Sequence, residues 1–264
     1  MSIELRPARS LSIAERVALF NAAYEDYVIP SRLDESTLQG MIDWFDLDVD
    51  ASRIALRDGE PVGFGNLGLR RDQAWIGGVG VVTSARRQGI GELLMQALHD
   101  EAAARSVKQV WLEVIEQNDP AYRLYEKLGY DLVRCVEVWT LPTESSGPSL
   151  EVPVEQAHAR IRELRAEHEP WQRSDATLAH YADARGIETD DGATILRVNR
   201  VTGSAQVVQI AGEPQELLRA VRSYGNVVIL NLPAGDPVGE AMRELGGAVT
   251  VRQREMVLDL SHRG

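Results

Sequence analysis

The segment Val79-Gly80-Val81-Val82-Thr83-Ser84-Ala85-Arg86-Arg87-Gln88-Gly89-Ile90-Gly91-Glu92 restricts the fold more than any other stretch of the chain. It runs from an apolar strand pattern, through a basic glycine turn, into a helical pattern. Glycine lets a backbone approach an anion closely. The start of a helix offers unpaired N–H groups and a partial positive charge. Arg86 and Arg87 add charged donors suited to phosphate. Strand, turn and helix together form a pyrophosphate cradle, which requires a layered fold with a helix packed on a sheet. Neither the G-x-x-x-x-G-K-[ST] loop nor the G-x-G-x-x-G dinucleotide turn is present.

The flanking patterns supply the layers. Residues 3–8 alternate as a strand. Ser12 opens a helix with Ile13, Val17, Phe20 and Tyr24 on one face, and Asp34 caps a second helix carrying Leu38, Met41 and Ile42. Strands are predicted at 53–56, 62–69 and 75–82, with Asp58-Gly59 turning between the first two. A helix over 91–105, a strand over 110–114, a helix over 120–128 closed by Gly129, and a strand over 132–140 complete the first half. The order implies an α/β (α+β) sandwich with helices on both sides of a central sheet.

Pro142-Thr143-Glu144-Ser145-Ser146-Gly147-Pro148 reads as a linker, dividing the chain into domains at 1–146 and 147–264. Beyond it, helices are predicted at 154–167, 175–185, 214–221 and 237–245, the second of them capped by Gly186. Strands are predicted at 194–198, 205–210, 227–230 and 249–260. This repeats the order of the first half. Asp119-Pro120 and Leu128-Gly129 reappear as Asp236-Pro237 and Leu245-Gly246, and Glu92-Leu93-Leu94 reappears as Glu216-Leu217-Leu218. Matches at equivalent helix starts and ends indicate a diverged duplication.

A second motif sharpens the first. Arg86-Arg87-Gln88-Gly89-Ile90-Gly91 matches [Q/R]-x-x-G-x-[G/A], and 118–130, from Asn118 through Ala121, Leu124 and Tyr125 to Gly129-Tyr130, matches N-x-x-A-x-x-L-Y-x-x-x-G-[F/Y]. In this order, over about residues 3–141, the chain resembles the GNAT superfamily of N-acyltransferases. The resemblance implies the GNAT fold, a mixed sheet flanked by helices, and acetyl-CoA as donor, bound where two parallel strands splay. It implies that backbone groups of Val79, Gly80 and Val81 pair with the pantetheine arm. The turn Arg86, Arg87, Gln88, Gly89, Ile90 and Gly91, with the Glu92 amide, would hold the pyrophosphate, and Asn118 would lie near the pantetheine. Tyr125 stands where many members carry the general acid, with a packed helix-to-sheet tyrosine as the alternative. Glu113 matches the base of members that acetylate ribosomal-protein N-termini. Its alternative is a structural glutamate, and Glu116 is a second candidate. No metal is implied.

In the second half the turn becomes Ala211-Gly212-Glu213-Pro214-Gln215-Glu216. Asn118, Tyr125 and Glu113 become Gly235, Met242 and Leu230. A diverged, GNAT-like second domain without a coenzyme site is expected, as in tandem members of the family. The expected reaction is direct transfer of acetyl to a primary amine, a small molecule or a peptide N-terminus. The competing readings are a non-catalytic acyl-CoA sensor and a structural partner-binding protein.

Charge and composition bear on partners. With 40 acidic against 28 basic residues the formal charge is −12, which disfavours nucleic acid. No stretch reaches the roughly 18 apolar residues of a membrane span, no secretory signal is evident, and the single cysteine excludes an internal disulfide. A cytoplasmic protein is expected, and a homodimer is left open. Asp43, Asp46, Asp48 and Asp50, interleaved with Trp44, Phe45 and Leu47, suggest a cationic acceptor, with Tyr24 and Tyr27 as aromatic faces for an ammonium. The plainer alternative is a solvated loop anchored by its aromatics. His99 is expected to be exposed on its helix and Cys135 packed within a strand. Trp171 and Arg173 are expected to anchor packing between helices.

Overall fold

The computed structural model describes residues 2–29, 31–145, 151–165, 168–199 and 202–261. Ser146, Gly147 and Pro148 of the linker, the last two positions of the helix predicted over 154–167, and His262 lie outside them. By contact the chain divides into one unit of Met1–Val133 with Glu255–Gly264 and another of Arg134–Arg254.

The first unit follows the predicted order: β1 (Ile3–Pro7), α1 (Ile13–Ala23), α2 (Glu35–Trp44), β2 (Arg53–Arg57), β3 (Glu60–Arg70), β4 (Gln73–Val81), α3 (Ile90–Ala104), β5 (Gln109–Ile115) and α4 (Asp119–Lys127). The strand β6 (Asp131–Leu141) leaves it. Local chemistry sets the helix starts. Ser12 and Glu15 form a reciprocal capping box on α1, and Asp34 accepts from the Thr37 amide at the start of α2. Neighbouring strands run β1-β2-β3-β4-β5, followed by the C-terminal strand β12 (Ala248–Asp259). One face of this sheet buries Ala74, Ile76, Val110, Leu112 and Val114 with Met95 and Leu98 of α3 and Tyr125 of α4. Phe64, Ile54 and Leu56 pack against Leu19, Phe20 and Ala23 of α1.

The second unit contains β7 (Glu151–Val152), α5 (Val154–Leu164), α6 (Asp175–Leu178), β8 (Arg185–Glu188), β9 (Gly192–Val198), β10 (Ser204–Gly212), α7 (Pro214–Val221), β11 (Asn226–Pro233) and α8 (Pro237–Glu244). Its neighbours run β6-β11-β10-β9-β8-β7. Element for element this is the first unit again. β10 and β11 are the parallel pair, as β4 and β5 are in the first. Most of β6 belongs to this unit, beside β11, and the end of β12 from Glu255 belongs to the first.

The helix predicted over 175–185 is corrected to a single turn, Asp175–Leu178, and Arg185 begins β8. Gly186 is a strand residue, not a cap. A Cβ there would stand 2.9 Å from Ala157 Cβ and from the Val152 carbonyl, so glycine is required by the close approach of β8 to the start of α5. Trp171 and Arg173, expected between helices, are buried, with Arg173 Nε donating to Val208 O of β10.

Asp175 anchors this corner. It accepts from Arg165 at 3.0 Å and from Gln209 at 2.9 Å, with His158 beside it. Burial pushes its carboxyl up, but the hydrogen bonds from Gln209, Arg165 and His158 outweigh that and lower it to about 2. Its folded value is below the unfolded one, so its stabilisation is full above about pH 4 and lost as pH falls toward 2. The carboxylate is half exposed, which holds the contribution to about 1 kcal/mol. The expected result is that Asp175→Asn lowers the urea midpoint at pH 6, and that wild type and variant converge between about pH 4 and pH 2.

Candidate functional site

The site in the first unit begins with an irregularity in β4. Asn66 of β3 faces Gly78 and Leu67 faces Ile76, so Gly77 is an extra residue. A side chain at Gly77 would run into the Trp75 ring and Leu47, and Gly78 has φ +142°. The parallel pairing of β4 with β5 covers Gln73–Trp75 against Gln109–Trp111, and β4 continues to Val81 paired with β3. A crevice therefore opens between the ends of β4 and β5. Val82 N donates to Val62 O. Strand alternation then turns the amides of Val79 and Val81 toward the crevice.

At its mouth the chain turns from β4 into α3. Arg87 and Gly89 take left-handed φ of 62° and 79°, the alternation that aims successive N–H groups inward. The first backbone donor in α3 to find an acceptor is Leu93, bonded to Gly89 O. The amides from Arg87 to Glu92 donate to no other group among the described residues. Nothing lies within 4 Å of a Cβ built on Gly89. Unpaired backbone amides and open space thus meet at this turn. Arg87 and Gln88 are exposed beside it. The guanidinium of Arg86 is engaged otherwise than expected: Nε donates to Val81 O at 3.0 Å and Nη2 to Ala23 O at 2.9 Å, which ties the turn to β4 and α1. Glu92 is held through its carboxylate by Lys127 at 2.7 Å, and its amide stays available.

Deeper in the crevice, Asn118 caps α4 through the Ala121 amide and donates from Nδ2 to Tyr27 Oη at 3.2 Å. Burial raises the phenols of Tyr125 and Tyr24 well above the usual range, and the nearby Tyr27 hydroxyl adds to both. A Cβ on Gly78 would stand 3.5 Å from Tyr24 Oη. These hydroxyls and Asn118 thus gather beside the irregular stretch of β4. Glu113, half-buried on β5, accepts from Trp75 Nε1 at 2.8 Å, and Trp75 packs edge-on to Phe45 at the end of α2. Glu113 alternates with Leu112 and Val114 and so faces away from the α3 and α4 side, where Tyr125 packs. The two catalytic candidates flank the crevice from opposite faces of the sheet. Glu116 follows the end of β5 and is half-buried.

Comparison with known proteins is decisive at this point. Residues 16–130, which hold every one of these groups, match the family model described as acetyltransferase (GNAT) family. This segment belongs to the GNAT family. Over 60 residues it is 40% identical to the [ribosomal protein bS18]-alanine N-acetyltransferase of Escherichia coli K12, covering 23% of this chain and 40% of that protein. The chain thus spans about two-fifths of the length of the curated relatives it matches first. The fold likeness covers both units. A GCN5-related N-acetyltransferase from Sphaerobacter thermophilus matches with TM-score 0.76 over 98% of this chain and 96% of that one, at 17% identity. A tandem GNAT protein from the clavulanic acid biosynthesis pathway matches with TM-score 0.68 over 98% of both chains, at 14% identity. The molecule is two GNAT folds in one chain, the second diverged.

The divergence is visible where the GNAT anion site would be. In the second unit Glu213 N is bonded to Asp191 O, the Glu213 carboxylate accepts from Gln215 N, and Pro214 has no N–H. Met242, in place of Tyr125, is fully buried.

Three side-chain expectations are corrected. The aspartates at and after the end of α2 spend their carboxylates on protein groups, two of them on near neighbours in sequence and two on arginines far from them. Asp46 accepts from Arg70 at 2.6 Å, Asp48 caps the amides of Asp50 and Ala51, Asp50 pairs with Arg9, and Asp43 accepts from Gln39. The plainer reading of that loop holds. His99 is buried, with Nε2 2.9 Å from Tyr130 Oη, so it serves the α3 packing face. Cys135 is exposed on β6.

Proposed function

We propose that the first unit transfers the acetyl group of acetyl-CoA to a primary amine, a peptide N-terminus or a small molecule, by direct attack within a ternary complex. The observation that carries this is the row of unpaired amides from Arg87 to Glu92 at the mouth of the splayed strands, with Glu113 and Tyr125 on opposite faces beyond it. The backbone from Arg87 to Glu92 would take the pyrophosphate, with Arg87 adding charge and Arg86 holding the turn in shape. The edge of Val79, Gly80 and Val81 would pair with the pantetheine arm, and Asn118 would border it. The amine nitrogen attacks the thioester carbon, and the Val81 amide faces the developing oxyanion. The carbon–sulfur bond then breaks, and Tyr125 gives its proton to the sulfur. Glu113, directly or through water, takes the proton that the amine loses.

The base matters to a degree set by the acceptor. A lysine-like amine with pKa about 10.4 is neutral in roughly 4 of 10,000 molecules at pH 7, a cost of about 4.6 kcal/mol. A peptide α-amine with pKa near 8 costs only about 1.4 kcal/mol. The matched curated relative is named for N-acetylation of an alanine, and a peptide N-terminus is the acceptor we favour here. Glu113→Gln keeps an acceptor for Trp75 Nε1 but cannot take a proton. Turnover with a peptide N-terminus is expected to fall about tenfold at pH 7, with the deficit shrinking as pH rises and the amine deprotonates by itself. A uniform loss across pH would return Glu113 to a structural role.

The deciding experiment follows thiol release from acetyl-CoA with a panel of peptide and small-molecule amines, beside calorimetry of acetyl-CoA alone. One coenzyme per chain and acceptor-dependent release with intersecting double-reciprocal lines are expected. Coenzyme binding without release for any amine would leave a sensor, and parallel lines would replace direct attack with an acyl-enzyme.

A further inference from the structure

The second unit kept its crevice while losing the backbone cradle. Between the ends of β10 and β11 and the start of α8 lies a cleft lined by Ile210, Gly212, Pro233, Asp236 and Val238, whose space, counted out to open solvent, is about 1290 Å³. This is the position that the coenzyme crevice holds in the first unit, since β10 and β11 are again the parallel pair followed by a capped helix.

Its charge has changed character. Arg134, Arg165 and Arg173 line it, together with His168, against the carboxylates of Glu169 and Asp236, in a chain whose formal charge is −12. Asp236 is occupied with the Val238 amide as the cap of α8. Glu169 lies 3.2 Å from Arg173 and 3.8 Å from Arg165. Arg173 is 2% exposed, and its Nε donates to Val208 O. Its Nη1 is buried and donates to nothing among the described residues. Arg165 spends Nη1 on Asp175, while Nε and Nη2, the two donors of one planar edge, are buried with no hydrogen-bond acceptor among the described residues. Buried N–H groups of a guanidinium left without acceptors are costly, and structures rarely leave them so without a reason. Here one Glu169 is shared by two arginines, and the remaining donors want a further anion.

We infer that this cleft binds a small organic carboxylate, one carboxylate group with an apolar body. The paired Nε and Nη2 donors of Arg165 match the two oxygens of a carboxylate. Leu164, Ile210 and Val238 offer the body an apolar wall. A phosphate or coenzyme fits poorly, because the backbone donors that a phosphate needs are committed. Glu213 N goes to Asp191 O, Ala234 N to Cys135 O and Asp236 N to Pro233 O. The inference does not depend on the activity of the first unit.

The test uses the full chain with benzoate, acetate and inorganic phosphate as probes, followed by saturation-transfer NMR and calorimetry. One benzoate per chain is expected, tighter than acetate, with phosphate weaker than either and acetyl-CoA not competing. Removing Arg173 strips Glu169 of its close ion pair, so the deciding variant is Arg165→Gln, at the half-buried edge. It should weaken benzoate at least tenfold, whereas Gly89→Val in the other unit should leave it unchanged. The inference is overturned by no carboxylate binding at millimolar concentration, by equal affinity in Arg165→Gln, by phosphate binding more tightly, or by loss of benzoate on adding acetyl-CoA or in Gly89→Val.

Discussion

Gly89→Val is expected to weaken acetyl-CoA at least 100-fold while leaving a folded protein. The two halves of this expectation have separate causes. Gly89 has φ +79°, so a β-branched residue there is strained by about 1–2 kcal/mol, which a domain of ordinary stability survives. No protein atom lies within 4 Å of the new Cβ, so nothing in the folded chain is displaced. The same empty space is where an anion must come to meet the amides from Arg87 to Glu92. A Cβ and two methyls there hold the phosphate away from several N–H donors at once. Charge-assisted bonds are worth about 1.5–3 kcal/mol each, and losing two gives at least 100-fold. Gly91→Ala is the matched control. Its φ is not in the left-handed region, and a Cβ there meets only Leu124 Cδ2 at 3.8 Å. Calorimetry of wild type and both variants, with thermal melts to confirm folding, checks it. Undiminished binding in Gly89→Val would move the anion site elsewhere.

Where the sequence could be read and where it could not follows from how local the cause was. The turn at Arg86–Gly91 and the helix starts at Ser12 and Asp34 act over a few residues, and each is where the sequence placed it. The duplication was legible because helix starts and stops leave short motifs. What failed depends on contacts between distant residues. Asp46 looks free until Arg70 arrives from the end of β3, and Arg86 looks like a phosphate ligand until Ala23 and Val81 present their carbonyls. Gly186 signals a helix end in sequence, yet its reason is the passage of β8 across Val152 and Ala157. Asp175–Leu178 is the same lesson: four residues cannot carry a 3.6-residue period. The cleft of the second unit was invisible for a further reason. Arg134 lies on β6, Arg165 just after α5 and Arg173 just before α6, and together they carry no motif.

Tyr125→Phe is expected to lower turnover about 100-fold with little change in acetyl-CoA affinity. The phenol ring is 9% exposed and packs 5.8 Å from Tyr130 in the core beside β5, and phenylalanine keeps that packing. What is lost is one O–H. Its burial and the neighbouring Tyr27 hydroxyl hold the phenol well above its ordinary value, so Tyr125 stays protonated at neutral and mildly basic pH. Two consequences separate catalysis from packing. First, the basic limb of the turnover profile cannot come from Tyr125, and wild type and Tyr125→Phe should share its position. Second, the loss should depend on the leaving group. A thiol of pKa about 8.5 makes a poorer leaving group than a more acidic one, so the wild-type phenol has less to contribute when the thiolate is already stable. An acetyl thioester of an acidic aromatic thiol attached to the same pantetheine arm should therefore narrow the gap between wild type and Tyr125→Phe. An undiminished turnover in the variant removes Tyr125 from the reaction. An equal loss with both thioesters leaves it as a packed helix residue whose hydroxyl merely positions Tyr27 and Asn118.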